Sequence, residues 1–284
     1  MGLRILSSHS MLGGMEKDVS SALEEGIAAA SAYEELHVPA LFEQWALRVV
    51  DVAQVRAGDR VLDVACGTGV LAREAVSRAG SQGFVAGVDP SPGMLVVAER
   101  LESSVRWQEG VAESLPYDED SFDAVVSQFG LMFFTDRSAA LREMKRVLVP
   151  GGRMAVAVWE SLERSEAYPI AVELLERVAG SEAAEALRAP FVLGDPTELD
   201  RLFRSAGVES VNITTHHGTA RFPSIRTMVE ADLRGWLPVM GVVLPEEQIQ
   251  QVLEEAEDAL SRYVTAAGTV EFQSPAHIVS GTKS

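Results

Sequence analysis

One nine-residue stretch constrains this chain more than any other. Val61-Leu62-Asp63-Val64-Ala65-Cys66-Gly67-Thr68-Gly69 carries a short apolar run into a glycine bend, and a helical pattern starts directly after it at Val70. A strand that turns sharply into a helix needs residues without bulky Cβ groups at the turn, and such a turn lets a ligand approach the backbone at the helix N-terminus. Gly67 and Gly69 suit that role. Asp89 closes the next apolar run, Phe84 to Asp89, twenty positions after Gly69. This is the spacing at which an acid accepts hydrogen bonds from both hydroxyls of a ribose. A Gly-x-Gly alone is weak; set between a strand and a helix, with an acid ending the next strand, it marks a nucleoside site.

The rest of the first half repeats that alternation. Residues 20–55 read as helical, with Pro39 as an interruption. Helices at 92–103 and 138–148 alternate with strands at 105–109, 122–127 and 154–159. Met154 to Trp159 is apolar without alternation, as a strand buried on both faces should be. The pattern predicts an α/β fold with a doubly wound, Rossmann-like, mostly parallel sheet. The second half is less regular: 165–187, 196–206 and much of 226–267 look helical, 208–215 looks like a strand, and 269–283 has room for a last one. Residues 1–25 are expected to be a mobile tail, with Met15 as a second plausible start. Residues 26–223 and 268–284 are expected to form the nucleoside-binding domain, with a helical insertion at about 165–190. Residues 224–267 are expected to form a helical lid over the substrate.

Charge and cysteine usage remove several classes. The chain has 24 Lys+Arg against 42 Asp+Glu, a formal charge of −18, and no basic cluster, so binding along a nucleic-acid backbone is disfavoured, as is an anionic membrane surface. No apolar run approaches the roughly 18 residues that span a bilayer, so membrane insertion is not expected. The single cysteine, Cys66, excludes a disulfide framework and a cysteine-built metal site, and no metal is expected. With no signal peptide in view, the expected compartment is the cytoplasm. Cys66 reads as a small turn residue, not as a nucleophile.

The bend also discriminates between nucleoside ligands. A dinucleotide site has a third glycine where this chain has Ala72, and Asp63 would repel a pyrophosphate. The same carboxylate favours a cationic amino-acid group. S-adenosylmethionine (SAM) carries both an ammonium and a sulfonium, so the sequence points to it over NAD.

At this point the chain resembles class I SAM-dependent methyltransferases, in the flavour of the methyltransferase-11 and ubiquinone/menaquinone-biosynthesis-like group. The motifs are Asp63 to Gly69, Gly87-Val88-Asp89-Pro90-Ser91, Glu113-Ser114-Leu115-Pro116-Tyr117, Ser121-Phe122-Asp123 and Arg146-Val147-Leu148-Val149-Pro150-Gly151-Gly152. The resemblance covers about residues 35–160 and implies a seven-stranded methyltransferase sheet. It implies that Asp63 and the backbone of Ala65, Cys66, Gly67, Thr68 and Gly69 hold the methionine moiety. Asp89 would bind the ribose, with Pro90 and Met94 on the adenine and Ala112 at the adenine edge. Gln128 and Phe129 would lie beside the sulfonium, and Tyr33 would close over the cofactor. Val111 departs from the pattern, since the family often has an Asp there for the adenine amino group; Glu113, a backbone carbonyl or water would substitute. Ala65 replaces a frequent Gly.

Methyl transfer from a sulfonium is an in-line displacement that depends on orientation and exclusion of water. It leaves little fixed signature beyond the cofactor site. A base is needed only for a protonated acceptor, and His216 and His217 are the candidates; neighbours on a strand face opposite ways, so at most one lines the site. One cysteine is too few for arsenite methylation, and Ser127-Gln128-Phe129-Gly130 lacks the Asn-Pro-Pro-Tyr-like segment of amine methylases of DNA adenine or protein glutamine. The expected reaction is methyl transfer from SAM, leaving S-adenosylhomocysteine (SAH), to a small, partly apolar organic acceptor. Trp236, Leu237, Met240 and Tyr263 are the candidate wall residues. A non-catalytic SAM-binding regulatory module and an NAD-dependent oxidoreductase stand as alternatives. The sequence does not fix the oligomeric state.

Overall fold

The computed structural model describes residues 9–284, with side chains from residue 21 onward. Of the expected N-terminal tail, 1–8 lie outside the described residues; from His9 the chain belongs to a helix. The strands are β1 (Arg60–Val64), β2 (Phe84–Asp89), β3 (Arg106–Glu109), β4 (Phe122–Gln128), β5 (Leu148–Trp159), β6 (Glu209–His216), β7 (Thr219–Phe222), β8 (Val270–Gln273) and β9 (Ala276–Thr282). The helices are α1 (His9–His37), α2 (Glu43–Val52), α3 (Val70–Ala79), α4 (Pro92–Leu101), α5 (Arg137–Val147), α6 (Tyr168–Ala179), α7 (Ser181–Arg188), α8 (Pro196–Ser205), α9 (Ile225–Glu230), α10 (Leu237–Val239) and α11 (Glu246–Ala259).

Seven strands form one sheet in the order β3-β2-β1-β4-β5-β9-β6. The first five run parallel, and β9 lies antiparallel between β5 and β6. The expected doubly wound architecture is therefore present, with its last strand inserted inside the edge. The sheet order reverses at β1, between β2 and β4, and ligands of such sheets bind outside the strand C-termini at that switch point. The central strands are apolar on both faces because helices cover both: Val61, Leu62, Ala124, Val125, Val156 and Val158 are fully buried.

Three local features position the site. Pro39 does interrupt the N-terminal helix: α1 gives way to a π-helical turn, Val38–Phe42, before α2 begins. Ser91 caps α4 by accepting the Met94 N–H at 3.4 Å, and Asp136 caps α5 by accepting the Ala139 N–H at 2.8 Å. The helices of 168–188 and 225–259 pack together as one block, with a second π-helical turn, Ala231–Trp236, inside it. The apolar cavity of that block is lined by Leu174, Leu187, Val229, Val252 and Leu260, with the carboxyl of Asp232 among them. A two-stranded ribbon, β7–β8, not foreseen from the sequence, stands apart from the main sheet. Among the described residues no helix is long and apolar enough to cross a membrane.

Candidate functional site

The bend after β1 is built on backbone geometry that glycine tolerates. Gly67 and Gly69 have φ of +54° and +87°, and Ala65 sits at +57°. Ala65 is therefore strained where the related motif often has glycine. The two glycines serve different ends. A Cβ on Gly67 would meet nothing within 4 Å, so its open side suits a ligand. A Cβ on Gly69 would lie 2.4 Å from Cη2 of Trp107, so this glycine makes room for an indole. Gly87 does the same from β2, at 2.5 Å from the same ring. The register explains why: Asp63 pairs with Gly87 and Gly87 with Trp107, and partners in parallel strands share a face.

Asp63 is 1% exposed and neither carboxylate oxygen has a hydrogen-bond partner. Burial pushes its pKa well above the usual carboxylate range. The Ala72 N–H, near but outside hydrogen-bond geometry, opposes that, Asp89 adds to the rise, and Arg73 opposes it. Asp89 is differently placed. Its Oδ2 accepts the Gly67 N–H and its Oδ1 the Ser91 N–H, both at 2.9 Å, which ties the end of β2 to the bend. Burial raises its pKa, against these two hydrogen bonds. Cys66 is buried, with its thiol pushed up by burial and by both acids, as befits a turn residue and not a nucleophile.

Helix α1 roofs the bend. The Arg73 guanidinium donates to Glu34 and to the Thr68 carbonyl, each at 2.7 Å, pinning the helix to the bend. At the other end of the same contact Gly93 of α4 meets Gly26, where a Cβ would lie 2.5 Å from backbone. Tyr33 stacks on His37 at 5.5 Å and on Phe42 at 5.4 Å, and its pKa is raised by burial, then by Asp89 and Glu34. Tyr33 is thus close enough to the acid at the end of β2 to feel its charge.

Gln128 donates from Nε2 to the Phe42 carbonyl at 3.1 Å, while its Oε1 is buried without a partner. Phe129, at φ +56°, turns its ring to β5 and stacks on Trp159 at 3.8 Å, with Phe42 and Trp45 alongside. Ala112 is buried, Met94 is half-buried, and Pro90 and Val111 are exposed. One Glu113 oxygen accepts the Thr135 and Asp136 N–H groups at 2.7 and 3.2 Å, so Glu113 anchors the loop before α5.

The structure does not bring His216 and His217 to the bend. His216 ends β6 at the sheet edge and His217 follows it, with β9, β5 and β4 between them and β1, about 19 Å at the usual strand spacing. His216 pairs with Thr214 Oγ1 at 2.9 Å, and His217 lines an open groove with Glu160, Arg164 and Gln273. Of the wall candidates, Trp236 packs on Phe133 at 5.1 Å beside the loop after β4. Met240 is half-buried in the loop after α10. Leu237 is fully buried, and Tyr263 packs on Phe272 of the ribbon, away from the bend.

Sequence reasoning missed His37, Phe42, Trp107, Trp159 and the Glu34–Arg73 pair. The i, i+4 spacing of Tyr33 and His37 was the one available signal. Buried polar atoms without partners concentrate at this edge of the sheet: Glu34 Oε2, His37 Nδ1, both oxygens of Asp63, Thr68 Oγ1, Ser127 Oγ and Gln128 Oε1. Such atoms are costly unless a ligand or water meets them. A cationic amino-acid group and a ribose fit this donor and acceptor set, with Asp63 for the cation and Asp89 for the hydroxyls. A diphosphate does not fit beside Asp63.

Comparison with known proteins points the same way. Residues 36–221 match the model of the ubiE/COQ5 methyltransferase family. The chain is 33% identical over 203 residues to a demethylmenaquinone methyltransferase of Staphylococcus carnosus, covering 66% of this chain and 84% of that one. It is 34% identical over 203 residues to a ubiquinone/menaquinone biosynthesis C-methyltransferase UbiE of Cupriavidus pinatubonensis, covering 65% and 82%. Among solved structures, the YcgJ protein of Bacillus subtilis shares the fold at TM-score 0.55 and 23% identity, over 84% of this chain and 98% of that one. A Haemonchus contortus phosphoethanolamine N-methyltransferase 2 shares it at TM-score 0.58 and 17% identity, over 90% and 57%.

Proposed function

Because this chain belongs to the ubiE/COQ5 methyltransferase family, we propose that its small-molecule acceptor is a hydroxylated aromatic ring of the quinol type, methylated on a ring carbon. The protein is a SAM-dependent methyltransferase, and SAM supplies the electrophilic methyl group. Asp63, the bend from Ala65 to Gly69, Asp89 and Tyr33 would hold the nucleoside and its amino-acid tail. Met94, Ala112 and Gln128 would complete the contacts.

The observation that carries the acceptor reading is the aromatic wall beyond β4. Phe129 and Trp159 lie parallel at 3.8 Å, Phe42 joins them at 5.6 and 6.1 Å, and Phe133 pairs with Trp236 across the loop. Flat apolar faces recognise a flat ring by stacking and burial, and hold its carbon against the methyl group. The names of the two relatives support a quinone-related ring and a carbon target. The helices at 225–259 lie beyond the residues that match the family model, 36–221, and we assign them as the lid that excludes water and selects the acceptor.

The test is methyl transfer from isotopically labelled SAM to 1,4-naphthalenediol kept reduced, beside phosphoethanolamine and sarcosine as amine acceptors. The expected result is label in 2-methyl-1,4-naphthoquinone after reoxidation. Label only in the amines, or none in any ring while SAH binds, overturns the quinol reading.

A further inference from the structure

We infer that His37 is the acceptor's base: its Nδ1 receives the hydrogen bond of the ring hydroxyl and takes that proton as the methyl group moves. This rests on the quinol reading above and adds a residue that none of the sequence motifs contains.

His37 ends α1 at the meeting point of three segments that roof the cleft. Its ring stacks on Tyr33 at 5.5 Å and 21°, and Tyr33 in turn stacks on Phe42 and feels the charge of Asp89. On the other side lies the second π-helical turn, where a Cβ on Gly235 would sit 3.7 Å from His37 Cε1. The neighbour of that glycine, Trp236, forms the Phe133 pair of the acceptor wall. His37 therefore lies one ring beyond the nucleoside acid, toward the lid. Its Nδ1 is buried and has no hydrogen-bond partner. A buried ring nitrogen without a partner is expensive as a packing residue alone and suits one that a substrate hydroxyl completes.

Its surroundings keep it neutral. Burial is the cause that lowers its pKa, to about 4. The charged groups of the neighbouring segments are engaged elsewhere. Glu34 is on Arg73, Asp89 on the Gly67 and Ser91 N–H groups, and Arg234 on Glu246 and Glu230; Asp232 lies inside the helical block. A neutral imidazole at physiological pH is ready to accept a proton.

The step balances as follows. The hydroxyl proton passes to Nδ1 while the oxygen pair enters the ring, the ring carbon bonds the methyl carbon, and the methyl–sulfonium bond breaks with its pair kept by sulfur. The resulting ketone takes the proton back from His37 on oxygen and loses the ring C–H proton to solvent, so one proton is released in all.

The test compares wild type, His37→Phe and His37→Ala with 1,4-naphthalenediol and SAM. Phenylalanine keeps a flat ring against Tyr33. A fall in kcat of about a hundredfold or more is expected for His37→Phe, with SAH affinity within about twofold of wild type. The ratio of variant to wild-type kcat should rise with pH as the acceptor ionises unaided, and added imidazole should restore part of the rate in His37→Ala. Wild-type kcat in the variant, or a reduced rate that neither pH nor imidazole recovers, overturns the role. Failure of wild type itself to methylate the quinol while binding SAH refutes the acceptor reading and this role with it, whereas turnover by wild type and an indifferent variant refutes the role alone.

Discussion

Gly69 provides a test of the bend that separates two physical costs. Its φ is +87°, and the position of its absent Cβ lies 2.4, 3.1 and 3.2 Å from three atoms of the Trp107 indole. That ring is held: its Nε1 donates to the Glu102 carbonyl at 2.9 Å, and Gly87 lies against its other side. A left-handed backbone costs a non-glycine residue about 1–2 kcal/mol, and forcing a methyl into a packed contact adds about 1–3 kcal/mol. Gly69→Ala should therefore destabilise the fold by about 2–5 kcal/mol. In a Trp107→Leu background the collision is gone, and the same change should cost only the backbone part, about 1–2 kcal/mol. Gly67→Ala is the control: at φ +54° with nothing within 4 Å of its Cβ, it too should show the backbone part alone. Guanidinium unfolding of the four members of the Gly69/Trp107 cycle measures the difference, provided the m-values agree. An equal cost of Gly69→Ala in both backgrounds would refute the steric assignment and leave only backbone geometry.

Two further outcomes follow from buried carboxyls. Burial raises Asp63, so the free protein holds its proton to higher pH than an ordinary aspartate, whereas a cationic cofactor group needs the carboxylate; SAM binding should therefore release a proton and tighten as pH rises through the raised pKa. Calorimetry in buffers of different ionisation heat reads that release, and binding that is independent of pH, or equally tight in Asp63→Asn, would refute it. Asp232 is raised from 3.8 to about 8 by burial alone, and Tyr168 is the titratable neighbour it perturbs. Its folded pKa lies above its unfolded value, so stability is greatest at low pH, falls as pH climbs from about 4 toward 8, and then levels. Asp232→Leu should raise the Tm at pH 8.5 more than at pH 5, and an equal shift at both would show that Asp232 does not titrate on unfolding.

The nucleoside half of this site was legible because its chemistry is local. The bend, the acid ending β2 and the cap of α4 each lie within a few residues, and the strand–helix alternation puts them at one edge of the sheet. What Asp63, Gly87 and Trp107 share was not legible, since it depends on strand order and register and not on spacing along the chain. The same limit misdirected the search for a base. His216 and His217 follow a strand that comes after β5 in sequence, which suggests a place near the reacting end of β4. The chain's last strand, β9, instead takes that place, pairing Trp159 with Ala276 and Ala276 with His216, and moves the histidines one strand outward. The residues proposed for the acceptor side, Tyr33 and His37 from α1, Phe42 from the first π-helical turn, Trp159 from β5 and Trp236 from the second π-helical turn, are separated by up to two hundred positions. No periodicity links such residues. What links them is tertiary: the N-terminal helix passes through a π-helical turn at Val38–Phe42, and Tyr33 stacks on His37 before that turn and on Phe42 within it.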